Sequence, residues 1–302
     1  MNALWDAFSK LKGVPLWKAL ADLSPEDLIQ TLDLSGLEDV LSPEEAKAIV
    51  SGMYVPAASR DAAAGGGGDK ATAALTVSGS DATGGTHPGA AAGAAASDRD
   101  NRMKELEGLG GFPGYDTSFG WISFGDDKIR AGAKEAKAAG FGALKLKVGS
   151  PDPARDLRRV QIVREEAGAD GRLMVDVNQQ WTTSLAIEMG AELAKLGVFW
   201  IEEPCHPDDV EAHLSLRESL AGTGTLVAAG EAIPNRIVFK NYLQRGALDV
   251  VQLDPTRQAG VSGCVAIAIL CKKMQVDAAA GLSTVKPPLH VTFHVGCMGQ
   301  LA

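Results

Sequence analysis

No apolar run in this sequence approaches the roughly 20 residues needed to span a bilayer. The opening Met-Asn-Ala-Leu-Trp-Asp-Ala-Phe stretch has no basic region followed by a continuous apolar one. These two absences predict a chain with no membrane partner, cytoplasmic or mitochondrial rather than secreted, with no targeting segment visible. A basic stripe is missing too. Lys and Arg are interspersed with acids, the formal charge is −9 and the pI is near 5.1, which removes nucleic acid from the expected partners. The four cysteines, Cys205, Cys264, Cys271 and Cys297, have neither a paired metal spacing nor a disulfide framework. Cys264 and Cys271 fall in an Ala/Ile/Leu-rich helical pattern, and all four are predicted to be reduced structural thiols. Histidine is scarce: His87 lies in a low-complexity stretch, His206 and His213 follow Glu202, and only His290 and His294 remain further on.

What is present is 302 residues with 45% hydrophobic content, enough for one sizeable core or a large domain with a small companion. Residues 1–55 carry helical periodicity, with Leu4, Trp5, Phe8 and Leu11 on one face and a Ser42 cap opening "LSPEEAKAIV". Residues 56–101 change to Ala, Gly, Ser and Thr with a Gly65 to Gly68 run. Such a composition buries too little apolar surface to offset ordering entropy, so this segment is expected to be a disordered insertion.

From residue 102 short apolar strands, "ALKLKV", "RLMVDV", "VFWIEE", "LVAAGE" and "DVVQLD", alternate with amphipathic helical stretches. They are predicted to end at Lys147, Asp176, Glu202, Glu231 and Asp254, at intervals of 29, 26, 29 and 23 residues. A doubly wound sheet and a barrel both produce alternating strands and helices, but this beat favours an α/β barrel. In a barrel every strand delivers its last residues to one rim, where active sites sit.

Three carboxylates, Asp176, Glu202 and Glu231, converging on one rim would repel one another unless a cation held them. Any one of them alone is more simply read as a loop cap; three at consecutive strand ends point to a site. Oxygen-only ligation suits Mg²⁺ rather than zinc. Glu202 and Glu203 are adjacent, so on an extended strand only one can face the barrel mouth. Lys145 and Lys147 alternate along one strand and point the same way. Ammonium groups held side by side disfavour each other's charge, so one amine is a candidate general base. Asp254 would orient a histidine, or else cap the loop at Pro255.

Taken in order, "KLKVG", "LMVDVNQQW", "WIEEP", "AAGEAIPNR" and "VVQLDPTRQAGVSG" resemble the barrel of the enolase superfamily, in its mandelate racemase-like branch, over about residues 102–275. The stretches "ALWDAFSKLKGVPLWKALADLSPE" and "GFPGYDTSFGWISF" extend the likeness to sugar-acid dehydratases of the L-fuconate type. The resemblance implies Mg²⁺ ligands at Asp176, Glu202 and Glu231, with the first acid of the "EEP" unit chosen as ligand. It also implies Lys147 as base, Lys145 tuning it, and Asn178 beside a small-molecule sugar acid. It brings with it the superfamily's known chemistry, a Lys or His base working with Mg²⁺ that stabilises an ene-diolate. The expected reaction removes the proton next to a carboxylate and then loses a β-hydroxyl, giving a 2-keto-3-deoxy acid. The alternatives are a racemase, epimerase or cycloisomerase of the same superfamily, or a non-catalytic remnant that binds metal or a partner; a homo-oligomer is compatible with each.

Two features depart from the family pattern. Its catalytic histidine follows the Asp254 equivalent at the end of the seventh strand, roughly where Gly281 stands, and "VDAAAGLSTVKPPLH" has none at that place. The likeness fades after about Gln275. The expectation is therefore an incomplete (β/α) barrel over 102–302, truncated, with a divergent tail from about 276, preceded by a remnant of an N-terminal capping domain over 1–55.

Overall fold

The computed structural model describes residues 1–52, 118–279 and 290–293, with 103, 104, 107, 108 and 116. The expected insertion, 56–101, lies outside the described residues, as does most of the tail expected from 276.

The N-terminal part forms four helices: α1 (Asn2–Lys12), α2 (Leu16–Ala21), α3 (Pro25–Gln30) and α4 (Pro43–Val50). Helix α4 starts where the sequence says it should. The Ser42 hydroxyl accepts from the Glu45 amide while the Glu45 carboxylate accepts from the Ser42 amide, and Pro43 fills the first turn. These helices join the main core, where Leu37, Leu41 and Ala46 are fully or almost fully buried with the barrel side chains.

The rest alternates helix and strand: α5 (Asp126–Ala138), β1 (Ala143–Lys147), α6 (Pro153–Ala167), β2 (Arg172–Asp176), α7 (Thr183–Lys195), β3 (Trp200–Glu202), α8 (Val210–Ser219), β4 (Leu226–Ala229), α9 (Arg236–Arg245), β5 (Val250–Leu253), α10 (Gly260–Ala279) and β6 (His290–Phe293). All neighbouring strands are parallel and their order follows the chain, β1 through β6. A doubly wound sheet would reverse direction at a switch point; this one does not. Among the described strands β1 and β6 form open edges, so the architecture is the expected incomplete (β/α) barrel.

Register puts the functional ends level. Lys147 pairs with Asp176, and Asp176 with Glu202. Two of the five expected strand ends need correction: β4 stops at Ala229 and β5 at Leu253, so Glu231 and Asp254 stand just beyond their strands. Gly230 takes a φ of 149°, and a Cβ there would collide with the Gln252 carbonyl oxygen, so the chain leaves the sheet at that glycine. Past β5 the Asp254 amide donates to the Gln258 side chain rather than to a neighbouring strand. Cys205, Cys264 and Cys271 are buried and free, as expected; Cys297 lies outside the described residues.

Candidate metal and proton-transfer centre

Strands β1, β2 and β3 place four charges together at the rim. Asp176 and Glu202 are fully buried, a costly position for carboxylates without partners. Lys145 Nζ donates to Glu202 Oε1 at 2.8 Å and Oε2 at 3.0 Å, and lies 3.4 Å from Asp176 Oδ2. Lys147 Nζ donates to that same Asp176 oxygen at 2.5 Å. Both lysines therefore point inward from one strand face, as their spacing predicts, and converge on one carboxylate oxygen. The Trp200 indole adds a third donor to Glu202 at 3.2 Å. Burial, reinforced by the Asp176 charge, still pushes the Glu202 carboxyl up to about 7, against the pull of Lys145.

Strand alternation fails at the next residue. Glu203 does not turn away to the opposite face, because it has left the strand with φ 44°. It is buried, accepting from Gln179 Nε2 at 3.2 Å and from the Ala232 amide at 3.2 Å. Burial, and next the Glu231 charge, raise its pKa. Glu231 is thus electrostatically part of the cluster. Asn178, at φ 49°, donates its amide to Asp176 Oδ1 at 3.1 Å, which puts it on the rim next to the charged group.

Asp254 is nearly buried, and its Oδ1 accepts from the Thr256 amide at 2.8 Å and hydroxyl at 2.7 Å. That is the loop cap anticipated as its simpler role. Sequence reasoning passed over Gln252. This β5 side chain lies close enough to Glu202 to favour its charged form, while its Oε1 is buried without a hydrogen-bond partner. The strand pattern could have flagged it, since it is a polar residue in an otherwise apolar buried strand.

No set of three His, Cys, Asp or Glu side chains among the described residues is arranged to hold a metal ion. The donor chemistry nevertheless fits a hard cation: carboxylates in register on consecutive strands, and an orphaned carbonyl oxygen of Gln252 on the neighbouring part of the sheet.

Comparison with known proteins identifies the family of the fold that carries this site. Residues 128–300 match the enolase C-terminal domain-like family, a span running past residue 276. L-galactonate dehydratase of Hypocrea jecorina is 32% identical over 278 residues, covering 91% of this chain and 52% of that protein. The crystal structure of human mitochondrial enolase superfamily member 1 superposes with a TM-score of 0.71 at 30% identity, covering 91% of this chain and 52% of the other. An L-talarate dehydratase from Polaromonas, crystallised with Mg and L-glucarate, gives a TM-score of 0.50 at 29% identity over 58% of this chain and 48% of its own. The chain spans about half the length of the curated relatives it matches. With a family match over more than half its residues, an in-order parallel barrel sheet and charged strand ends in register, the chain belongs to the enolase C-terminal domain-like family.

Proposed function

We propose that this chain carries the catalytic half of a Mg²⁺-dependent acid-sugar dehydratase. The observation that carries the reading is the pairing of Lys145 and Lys147 with Asp176 and Glu202 at one rim. Dehydratases among the relatives, acting by name on L-galactonate and on talarate or galactarate, support the substrate class. Bound by Asp176, Glu202 and Glu231, Mg²⁺ would supply Lewis-acid stabilisation of the negative charge that develops on the substrate carboxylate. Lys147 removes the proton from the adjacent carbon. Its side chain is 23% exposed against 16% for Lys145, which gives it the better access to substrate. Lys145 holds Glu202 and balances the local charge, and Asn178 borders the substrate. The β-hydroxyl leaves as water after taking up a proton, and the enol tautomerises to a 2-keto-3-deoxy acid.

A poor leaving group such as hydroxide needs a positioned acid. In this superfamily the histidine ends the strand after the Asp254 strand. Here that strand is β6, whose Phe293 pairs with Leu253. The next residue of one chain segment is Asp254 and of the other His294. By order along the chain alone, His294 is the proposed acid rather than the position near Gly281; His294 itself lies outside the described residues.

The assay is 2-keto-3-deoxy acid formation from L-fuconate, L-galactonate or galactarate with Mg²⁺. Lys147→Ala should lower the rate by about 10²- to 10⁴-fold. Exchange of the substrate's α-hydrogen in D₂O without dehydration would instead favour a racemase or epimerase, and full activity in Lys147→Ala would remove the base assignment.

A further inference from the structure

Gln258 is 2% exposed and sits in the loop between β5 and α10, where sequence alone reads only a polar turn. Its side-chain amide is used at both ends. Oε1 accepts from the Asp254 amide at 2.7 Å. Nε2 donates to the carbonyl oxygens of Gly230 at 2.7 Å and Ile233 at 3.2 Å. Those two carbonyls flank Glu231, and the turn between them is closed by the Ile233 amide donating to Gly230 O at 3.0 Å. One planar amide therefore grips the Asp254 corner and the Glu231 turn at once. Its own backbone is fixed too: the Gln258 amide donates to Asp254 O at 3.1 Å, and Gly263 lies so close to the Gln258 carbonyl that a Cβ there would collide with it. Asn would be one methylene too short to bridge the two loops. An apolar side chain would leave the Asp254 amide and the Ile233 carbonyl to find other partners in a buried setting, and the Gly230 carbonyl with the Ile233 amide alone.

We infer that Gln258 is a positioning residue, holding the Glu231 turn in the register that lets its carboxylate complete the cation site. The inference rests on Glu231 being a cation ligand, as proposed above. A group that orients a ligand from behind changes metal affinity without touching the metal, by roughly 10- to 100-fold when removed.

The test is a calorimetric Mg²⁺ titration of the full chain and three variants: Glu231→Gln, Gln258→Met, which fills a similar volume but makes none of the three bonds, and the double substitution. Each single change should weaken Mg²⁺ by at least about 10-fold, with the double little weaker than Glu231→Gln alone, because Gln258 acts through Glu231. If Glu231→Gln leaves the affinity unchanged, the ligand assignment fails and this inference with it. If Glu231→Gln weakens binding while Gln258→Met lowers only the melting temperature, or adds its full effect in the double variant, Gln258 is a structural residue alone. Should Gln258→Met not fold, hydrogen exchange on the unsubstituted protein decides. Saturating Mg²⁺ should slow exchange of the Asp254 amide severalfold, and an unchanged rate overturns the coupling.

Discussion

Glu202 has lost all contact with water and depends for its charge on Lys145, the Trp200 indole and the Gln252 side chain. Its pKa of about 7, above the ordinary 4.5, has two consequences of defined sign. A protonated Glu202 is a poor cation ligand, so Mg²⁺ should bind more tightly between about pH 6 and 8, gaining up to about tenfold per pH unit below the pKa. A calorimetric affinity flat across that range would contradict it. Because folding raises this pKa, the metal-free folded form holds the extra proton between 4.5 and about 7. Its contribution to stability is therefore present at low pH and is lost as pH rises through that window. Glu202→Gln should weaken Mg²⁺ more than Glu203→Gln, since only Glu202 is in register with Asp176; the reverse order would move the ligand to Glu203. The sequence spacing correctly aimed Lys145 and Lys147 to one side, because β1 is regular to its end. The same alternation misjudged Glu203, because period-two geometry ends with the strand and φ 44° re-aims the side chain.

Strands β1 to β5 were legible because each is a short apolar run in a buried parallel sheet, and their beat distinguished a barrel from a doubly wound sheet. Strand β6, at His290–Phe293, was not anticipated. It follows "VDAAAGLSTVKPPL", which breaks the beat of short apolar strands. The Gln258 clamp was equally invisible, since a glutamine in a polar loop gives no sign of reaching a carbonyl 28 residues earlier in the chain. Helix α10 offers a test of how tightly that corner is built. Gly263 is helical, where Ala should be favoured by about 1 kcal/mol. The collision of its Cβ with the Gln258 carbonyl should cost about 1–3 kcal/mol instead. Gly263→Ala is thus expected to lower the melting temperature; a rise would mean the corner relaxes freely.

Across the whole molecule the N-terminal helices are tied to the barrel, α4 through a shared core and α1 through hydrogen bonds. Trp5 Nε1 donates to Ser262 Oγ at 2.9 Å, and Asn2 bonds both Pro255 O and the Val261 amide. Leu41, 1% exposed, packs within the same cluster. Leu41→Ala should cost about 2–5 kcal/mol and move the entire denaturant transition, with tryptophan fluorescence and far-UV circular dichroism staying superimposed. Two separated transitions would show the N-terminal helices unfolding independently. At the rim, Lys145, Lys147, Asp176 and Glu202 carry two positive and two negative charges in a mostly buried space. Buried Glu203 and neighbouring Glu231 add negative charge, which favours a divalent cation, and the bound cation's charge would in turn favour a sugar-acid anion. Each should therefore strengthen the other's binding by the same factor, measurable as an analogue's affinity that climbs with Mg²⁺ concentration. In the proposed site the rim charges would thereby couple metal and acid binding, so that neither is held well without the other.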